Sequence, residues 1–309
     1  MATPFDMSHP TSLTVMTFNI RYDEEADGRH AWPHRRQAVL QTIRAHDPDL
    51  LGLQEPDAGQ WQDFVAGLPA LSAFGLSGAE SEDGASHGGL FRAGRFAAID
   101  AGVFWLSETP SAPYSISWPN DWGPRACSWV ALEDDAAGEQ IVFASTHLDT
   151  NAGAWLPSAR VLHAELDAAA RGRPVVLVGD FNCAAGTDAH RYLTREAGFR
   201  DAWLEAGNTD AGVLTFNGFT PVTELPGNPE ALRRWLDAST PSGMFAGARD
   251  NYRIDWILLR GAVVAREARI DARLRDGVLP SDHYPVVARI DYARQPADPH
   301  LARRPPPQL

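Results

Sequence analysis

Apolar positions along the chain fall into short runs, and most of those runs stop at a polar residue. Leu13-Thr14-Val15-Met16-Thr17-Phe18-Asn19-Ile20 alternates partly, with the period of two expected of a strand. Leu50 to Gln54 is mostly apolar and stops at Glu55, and Gln140 to Thr146 stops at His147. Val175-Val176-Leu177-Val178-Gly179 reads as a fully buried strand that stops at Asp180. Ile254 to Leu259 and Pro285 to Ile290 supply two further strands. Helical spacing falls between these runs. Pro33 suits a first helical turn, Val39, Leu40 and Ile43 form an apolar face, and the pattern stops before Pro48. A second helix is predicted from near Pro157 to Gly172, with Leu162, Leu166 and Ala169 on its apolar face. Phe216-Asn217-Gly218-Phe219 carries an Asn-Gly turn signal. Strands alternating with helices, with hairpin-like stretches among them, point to a layered α/β fold.

Two segments read as long loops, 107–125 with Trp118 and Trp122, and about 221–252. The stretch from Arg294 to Leu309 is rich in Pro, Arg and Ala and reads as disordered. These boundaries predict one domain over residues 12–293, with flexible termini at 1–11 and 294–309. No solenoid repeat or heptad run interrupts it. No stretch reaches the roughly 18 apolar residues of a membrane span, and the first residues lack the basic start and apolar run of a secretory signal.

Composition changes the picture in two places. Lys and Arg total 27 against 40 Asp and Glu, a formal net charge of −13. Proteins that hold a duplex usually carry a basic face, so this balance favours a compact substrate at one pocket, with nucleic acid still open through a local patch. Cys127 and Cys183 read as two buried free thiols rather than a disulfide, which fits a reducing cytoplasm.

The candidate chemistry lies at the strand ends: Asn19, Glu55, His147, Asp180, Asn182, Asp255, Asp282 and His283. Each has a bland reading alone, as a turn cap, a solvated carboxylate or a structural histidine. Together they acquire a function, because strand ends on one edge of a sheet converge on a common crevice. Carboxylates gathered there raise one another's pKa unless a cation neutralises them. Carboxylates and amide oxygens without a cysteine cluster suit a hard ion such as Mg²⁺ or Mn²⁺, which keeps several waters and recruits phosphate oxygens.

Six blocks carry a family resemblance: Thr17-Phe18-Asn19-Ile20-Arg21, Leu53-Gln54-Glu55, Ser145-Thr146-His147, Gly179-Asp180-Phe181-Asn182, Arg253-Ile254-Asp255 and Ser281-Asp282-His283. In order, they resemble the signature blocks of the endonuclease/exonuclease/phosphatase superfamily, which includes DNase I-like nucleases, deadenylases and inositol polyphosphate 5-phosphatases. Asn19 to Asp23, Phe104 to Pro110, Pro124-Arg125 and Phe-Asn-Gly-Phe are most similar to bacterial members of loosely defined substrate. The resemblance implies a four-layer α/β/β/α sandwich of two mixed sheets flanked by helices, and a metal-dependent hydrolase of phosphate esters, phosphodiesterase or phosphatase. A nuclease, and an inactive binding module on the same fold, are the alternatives. It further implies metal-binding roles for Glu55, Asn19 and Asp282, with one Mg²⁺ or Mn²⁺ ion or two. His283 would contact the scissile phosphate, Asp255 would hold its ring, and Asp180 would align or deprotonate the attacking water. Asn182 would hold the phosphate or that water, and His147 would stabilise the phosphoryl oxygens.

Further residues are weaker candidates for touching substrate: Arg21 and Tyr22 after the first strand, Arg125, and Asp149 and Asn151 just past His147. Trp118, Trp122 and Trp155 read as stacking platforms or packing anchors, and Arg249 and Tyr252 lie near Asp255. His87, His163 and His190 have no motif support. The partner implied is a phosphate ester, a small molecule in preference to nucleic acid, without stable membrane insertion. Oligomeric state is not legible.

Overall fold

The computed structural model describes residues 12–76, 87–240, 245 and 251–293. The expectations for 1–11, 294–309 and Arg249 lie outside the described residues. In chain order the strands are β1 (Ser12–Asn19), β2 (Leu50–Gln54), β3 (Leu71–Leu76), β4 (His87–Arg92), β5 (Phe96–Trp105), β6 (Ala126–Asp134) and β7 (Glu139–His147). They continue as β8 (Val175–Asp180), β9 (Arg200–Asp201), β10 (Val213–Leu214), β11 (Asn251–Tyr252), β12 (Asp255–Arg260), β13 (Val263–Ile270) and β14 (Val286–Tyr292). The helices are α1 (Trp32–His46), α2 (Ala58–Gly67), α3 (Ala152–Ala170), α4 (Asp188–Arg195), α5 (Ala202–Glu205) and α6 (Pro229–Ser239).

Two six-stranded sheets, ordered β13-β14-β1-β2-β4-β3 and β5-β6-β7-β8-β12-β9, form the centre. Both are mixed, with β1 parallel to β2 and β7 parallel to β8 while the other pairs are antiparallel. Strand alternation supplies the layers. Leu13 and Val15 of β1 face Val176, Val178, Ile257 and Leu259 of the second sheet in a core between the sheets. Met16 and Phe18, on the opposite face of β1, pack with Val39, Leu40, Ile43 and Phe64 of α1 and α2. On the far side, Leu162 and Leu166 of α3 and Leu193 of α4 cover Val175, Leu177 and Leu258. The result is the four-layer α/β/β/α sandwich. Gly52 of β2 marks how closely the sheets approach: a Cβ there would lie 2.2 Å from Cγ2 of Val178.

Two helical expectations need correction. The helix predicted from near Pro157 begins at Ala152, because the side chain of Asn151 accepts from the N–H of Gly153 and caps it. Pro157 sits inside that helix, and Ala170 rather than half-buried Ala169 completes the buried face. The segment 221–252, read as a loop, contains α6, whose Leu232 and Leu236 pack with Phe245, Tyr252 and Ile254. Segment 107–125 is irregular, as its prolines and tryptophans imply. Both cysteines are free and buried. No helix among the described residues is long and apolar enough to cross a membrane.

Candidate active site

Strand direction explains why distant residues meet. Asn19 is paired in register with Gln54, so Asn19 and Glu55 leave the first sheet side by side. In the second sheet His147 lies opposite Asp180, and Asp180 lies opposite Asp255. Because β12 is antiparallel to β8, Asp255 opens its strand at the edge where Asp180 closes its own. β14 likewise runs antiparallel to β1, which brings Asp282 and His283, just ahead of it, to that end of the sandwich. Parallel strands therefore contribute their last residues and antiparallel strands their first.

Local turns then aim the side chains. After β1 the N–H of Arg21 donates to Oδ1 of Asn19 at 3.0 Å, and after β8 the N–H of Asn182 donates to Oδ1 of Asp180 at 2.9 Å. Each is a turn closed by an Asx side chain. Arg21, Glu55 and Asn182 all have positive φ, at 56°, 67° and 50°. Such strain costs roughly 1–3 kcal/mol per residue and persists only where the surroundings enforce it, as they do at functional sites.

One hydrogen-bonded network spans the two sheets. Nδ2 of Asn19 donates to Oε1 of Glu55 and to Oδ2 of Asp180, each at 2.9 Å. Nδ2 of Asn182 donates to Nε2 of His147 at 2.9 Å and to the carbonyl of Leu148 at 2.7 Å. Nδ1 of His283 donates to Oδ2 of Asp255 at 2.9 Å, and its Nε2 lies 3.6 Å from Oδ2 of Asp180. Nε2 of His147 lies 3.4 Å from the same oxygen. Beneath this layer, Nε2 of Gln54 donates to Oγ of Ser145 at 3.0 Å and ties the sheets together.

Burial and charge set the protonation states. Burial, with the charge of Asp255, pushes Asp180 up to about 7 despite hydrogen bonds that favour its ionised form. Burial and the neighbouring Glu55 raise Asp282. His283 stands well above the ordinary histidine value: burial alone would lower it, and the carboxylates of Asp255 and Asp180 reverse that. His147 is held well below, by burial and then by the charges of Arg125 and His283. One histidine is thus kept charged and the other neutral, the latter accepting at Nε2 from Asn182.

A cavity of about 390 Å³ opens over these groups. Glu55, His147, Asp180, Asn182, Asp282 and His283 line it, while Asn19 and Asp255 lie buried behind them. Arg21, Tyr22 and Arg125 also line it. Asp149 and Asn151 are not among the lining residues. The carboxylate of Asp149 accepts backbone N–H groups from Asp121, Trp122 and Asn151, and Asn151 caps α3. Of the three tryptophans, Trp122 lines the cavity, whereas Trp155 is buried in the core and Trp118 packs against it. Tyr252 packs in the cluster with α6.

Asp27, Thr150, Ser239 and Thr240 carried no motif, and with Phe216, Gly218 and Phe219 of the Phe-Asn-Gly-Phe stretch they complete the lining. Arg35 is fully buried and donates to the carbonyls of Ile20, Arg21, Tyr22, His30 and Pro280, clamping the turn after β1 to the loop before His283. Its position four residues before Val39, on the apolar stripe of α1, was the available clue. Oγ1 of Thr215 accepts from the N–H groups of Ile254 and Asp255 and so fixes the start of β12.

The donor set fits a hard cation. Glu55, Asp282 and Asp180 crowd carboxylates into a partly dry pocket, and the two raised aspartates register the cost of leaving that charge uncompensated. Asp180, Asp255 and His283 also bring one potential ligand atom each within 4.8 Å of the others. Within that trio, however, Nδ1 of His283 and Oδ2 of Asp255 are already hydrogen-bonded to each other. Asn19 turns its amide nitrogen, not its oxygen, toward Glu55, so here it orients the carboxylate.

Comparison with known proteins places the fold in a family. The model of the Endonuclease/Exonuclease/phosphatase family matches residues 16–283. The structure resembles an endonuclease/exonuclease/phosphatase from Bacteroides vulgatus at 27% identity and a TM-score of 0.75, covering 91% of this chain and 99% of that one. It also resembles a mannosyl-6-phosphatase from Bacteroides thetaiotaomicron at 25% identity and a TM-score of 0.73, covering 91% and 100%. In sequence, 168 residues are 26% identical to the CCR4-Not complex 3'-5'-exoribonuclease subunit Ccr4 of Emericella nidulans, covering 45% of this chain. The chain spans about a quarter of that relative's length, 24%. The chain belongs to the endonuclease/exonuclease/phosphatase family, whose members are hydrolases of phosphate esters.

Proposed function

We propose that residues 12–293 act as one domain that hydrolyses small phosphate esters, phosphomonoesters or compact diesters, with Mg²⁺ as its metal and Mn²⁺ as a substitute. The carrying observation is the convergence of Glu55, Asp180, Asp282 and a charge-stabilised His283 on one cavity of about 390 Å³, within the size range of small-molecule sites. The net charge of −13 and the resemblance to a mannosyl-6-phosphatase support a small substrate over a polymer. The partial likeness to an exoribonuclease supports the second reading, a nuclease acting on strand ends. Two buried free thiols are in keeping with a cytoplasmic setting.

Glu55 and Asp282 would hold the metal, with Asn19 orienting Glu55. A divalent ion bound there would polarise the phosphate and lower the pKa of an attacking water. His283, kept charged by Asp255, presents Nε2–H to a phosphoryl oxygen. Asn182 and neutral His147, from the ends of the neighbouring strands β8 and β7, position the phosphate. Asp180, poised near neutrality, takes the proton from the water as it attacks in line with the leaving alcohol.

A metal-by-substrate screen tests this. p-Nitrophenyl phosphate, its bis ester, hexose 6-phosphates, single-stranded DNA and RNA are each incubated with Mg²⁺, Mn²⁺ or EDTA. Metal-dependent release from the small esters is expected. Turnover confined to polynucleotides favours the second reading, and no turnover of any ester contradicts both.

A further inference from the structure

Trp122 is 58% exposed, yet it is held as firmly as a core residue. Its indole N–H donates to Oγ1 of Thr150 at 3.0 Å, and that hydroxyl donates to Oδ2 of Asp121 at 2.8 Å. Its backbone N–H donates to Oδ2 of Asp149 at 3.1 Å, while the N–H of Asp121 donates to Oδ1 of Asp149 at 2.8 Å. Nδ2 of Asn151 donates to Oδ1 of Asp121 at 3.1 Å. Five hydrogen bonds, one from the indole, one from its backbone and three among their partners, thus brace an apolar ring in the wall of the cavity without burying it. A pinned aromatic face is a binding platform whose ordering entropy is already spent before a ligand arrives.

We infer that Trp122 is the specificity-determining wall of the site, stacking on the ring of the alcohol that carries the phosphate, and that this alcohol is a sugar. The inference rests on the phosphoesterase reading above. A pyranose has an apolar C–H face and a rim of hydroxyls. The cavity offers a matching pair of features, the indole face and, elsewhere in its lining, the hydroxyls of Ser239 and Thr240, the latter donating to the carbonyl of Leu236 and left to accept. Phe219 already stacks on His30 at a centroid distance of 4.4 Å, and Phe216 packs edge-on against His283. Those rings are committed to the protein, and the ring of Tyr22, which also lines the cavity, carries the Arg21 guanidinium at 4.2 Å. Trp122 is therefore the aromatic face offered to substrate.

The test compares wild type, Trp122→Ala and Trp122→Phe on glucose 6-phosphate, glycerol 3-phosphate and adenosine 5'-monophosphate. Trp122→Ala should lower kcat/KM for the hexose ester by about three- to tenfold, mainly through KM, as loss of one aromatic contact predicts. Trp122→Phe should restore most of it, and glycerol 3-phosphate, which has no ring, should be unaffected. Equal loss on both esters, or none, overturns the inference. So does wild-type turnover of glycerol 3-phosphate without turnover of the hexose ester, although the phosphoesterase reading then stands. A Trp122 effect seen only on the nucleotide overturns the sugar assignment and marks a base-stacking wall. Failure of all three esters removes the premise and the inference with it.

Discussion

At the scale of single residues, the site separates groups that hold charge from groups that hold geometry. His283 is kept cationic by Asp255 and Asp180, and Glu55 is the proposed metal ligand, held by Asn19. Glu55→Gln and His283→Ala should each reduce turnover at least roughly 100-fold, the size of effect typical of acid–base and electrostatic groups. Steady-state kinetics on folded variants, checked by circular dichroism, measures this. Arg35 holds geometry through its five carbonyls, and its charge also offsets the rise of Asp282. Arg35→Met strands several buried carbonyls and should cost about 2–3 kcal/mol, at the upper end for unsatisfied buried acceptors, which denaturant unfolding reads directly.

At the scale of elements, the catalytic edge depends on a buried ionic clamp that fastens the start of β12. Nη2 of Arg253 donates to Oδ2 of Asp201 at 2.6 Å and to Oδ1 of Asp210 at 2.9 Å, and His190 lies 2.9 Å from the same Asp201 oxygen. Burial alone would raise Asp201, but Arg253 and then His190 draw it down to about 2, below its ordinary 3.8. The sign follows from linkage: a depressed carboxylate contributes stability above its unfolded value and loses it as pH falls through its folded one. That contribution, about 2 kcal/mol by the value of one pKa unit, should be present above pH ~4 and disappear by pH ~2. Asp201→Asn should remove it at neutral pH and cost about 3 kcal/mol, the lower bound for a broken buried pair because Asp210 still holds Arg253. Unfolding midpoints of both proteins from pH 2 to 7 check the sign and the size. The contact between sheets is equally unforgiving. Gly52→Val forces a side chain against Val178 and should destabilise by about 1–3 kcal/mol, the usual range for overpacking.

Across the whole molecule, what was legible in the sequence followed strand ends. The runs leading to Glu55, His147 and Asp180 are buried along most of their length and largely apolar, so polar candidates stand out at their C-terminal ends. That contrast is visible without a structure. β5 and β13 were not legible: β5 is largely exposed and β13 mixes Arg266, Glu267 and Arg269 into an edge strand, so neither leaves an apolar run. α6 was hidden because prolines at 221, 226 and 229 suggested a loop, although Pro229 is the first residue of its helix. Ser239 and Thr240, which also line the cavity, were illegible for a different reason: hydroxyls acquire meaning only from what they face, whereas Trp122 was legible as a stacking candidate.

The central claim is that one acidic pocket at the edge of the sandwich needs a divalent cation before it can act on a phosphate ester. Its most direct test is the Mg²⁺ dependence of p-nitrophenyl phosphate hydrolysis by wild type and Glu55→Gln after treatment with EDTA. The wild type should be inactive without metal and recover along a saturable curve. Any residual activity of Glu55→Gln should require at least roughly 10-fold more Mg²⁺, as expected on losing a charged ligand worth more than 1.4 kcal/mol. Undiminished turnover in EDTA, or the same Mg²⁺ dependence in both proteins, would contradict the account.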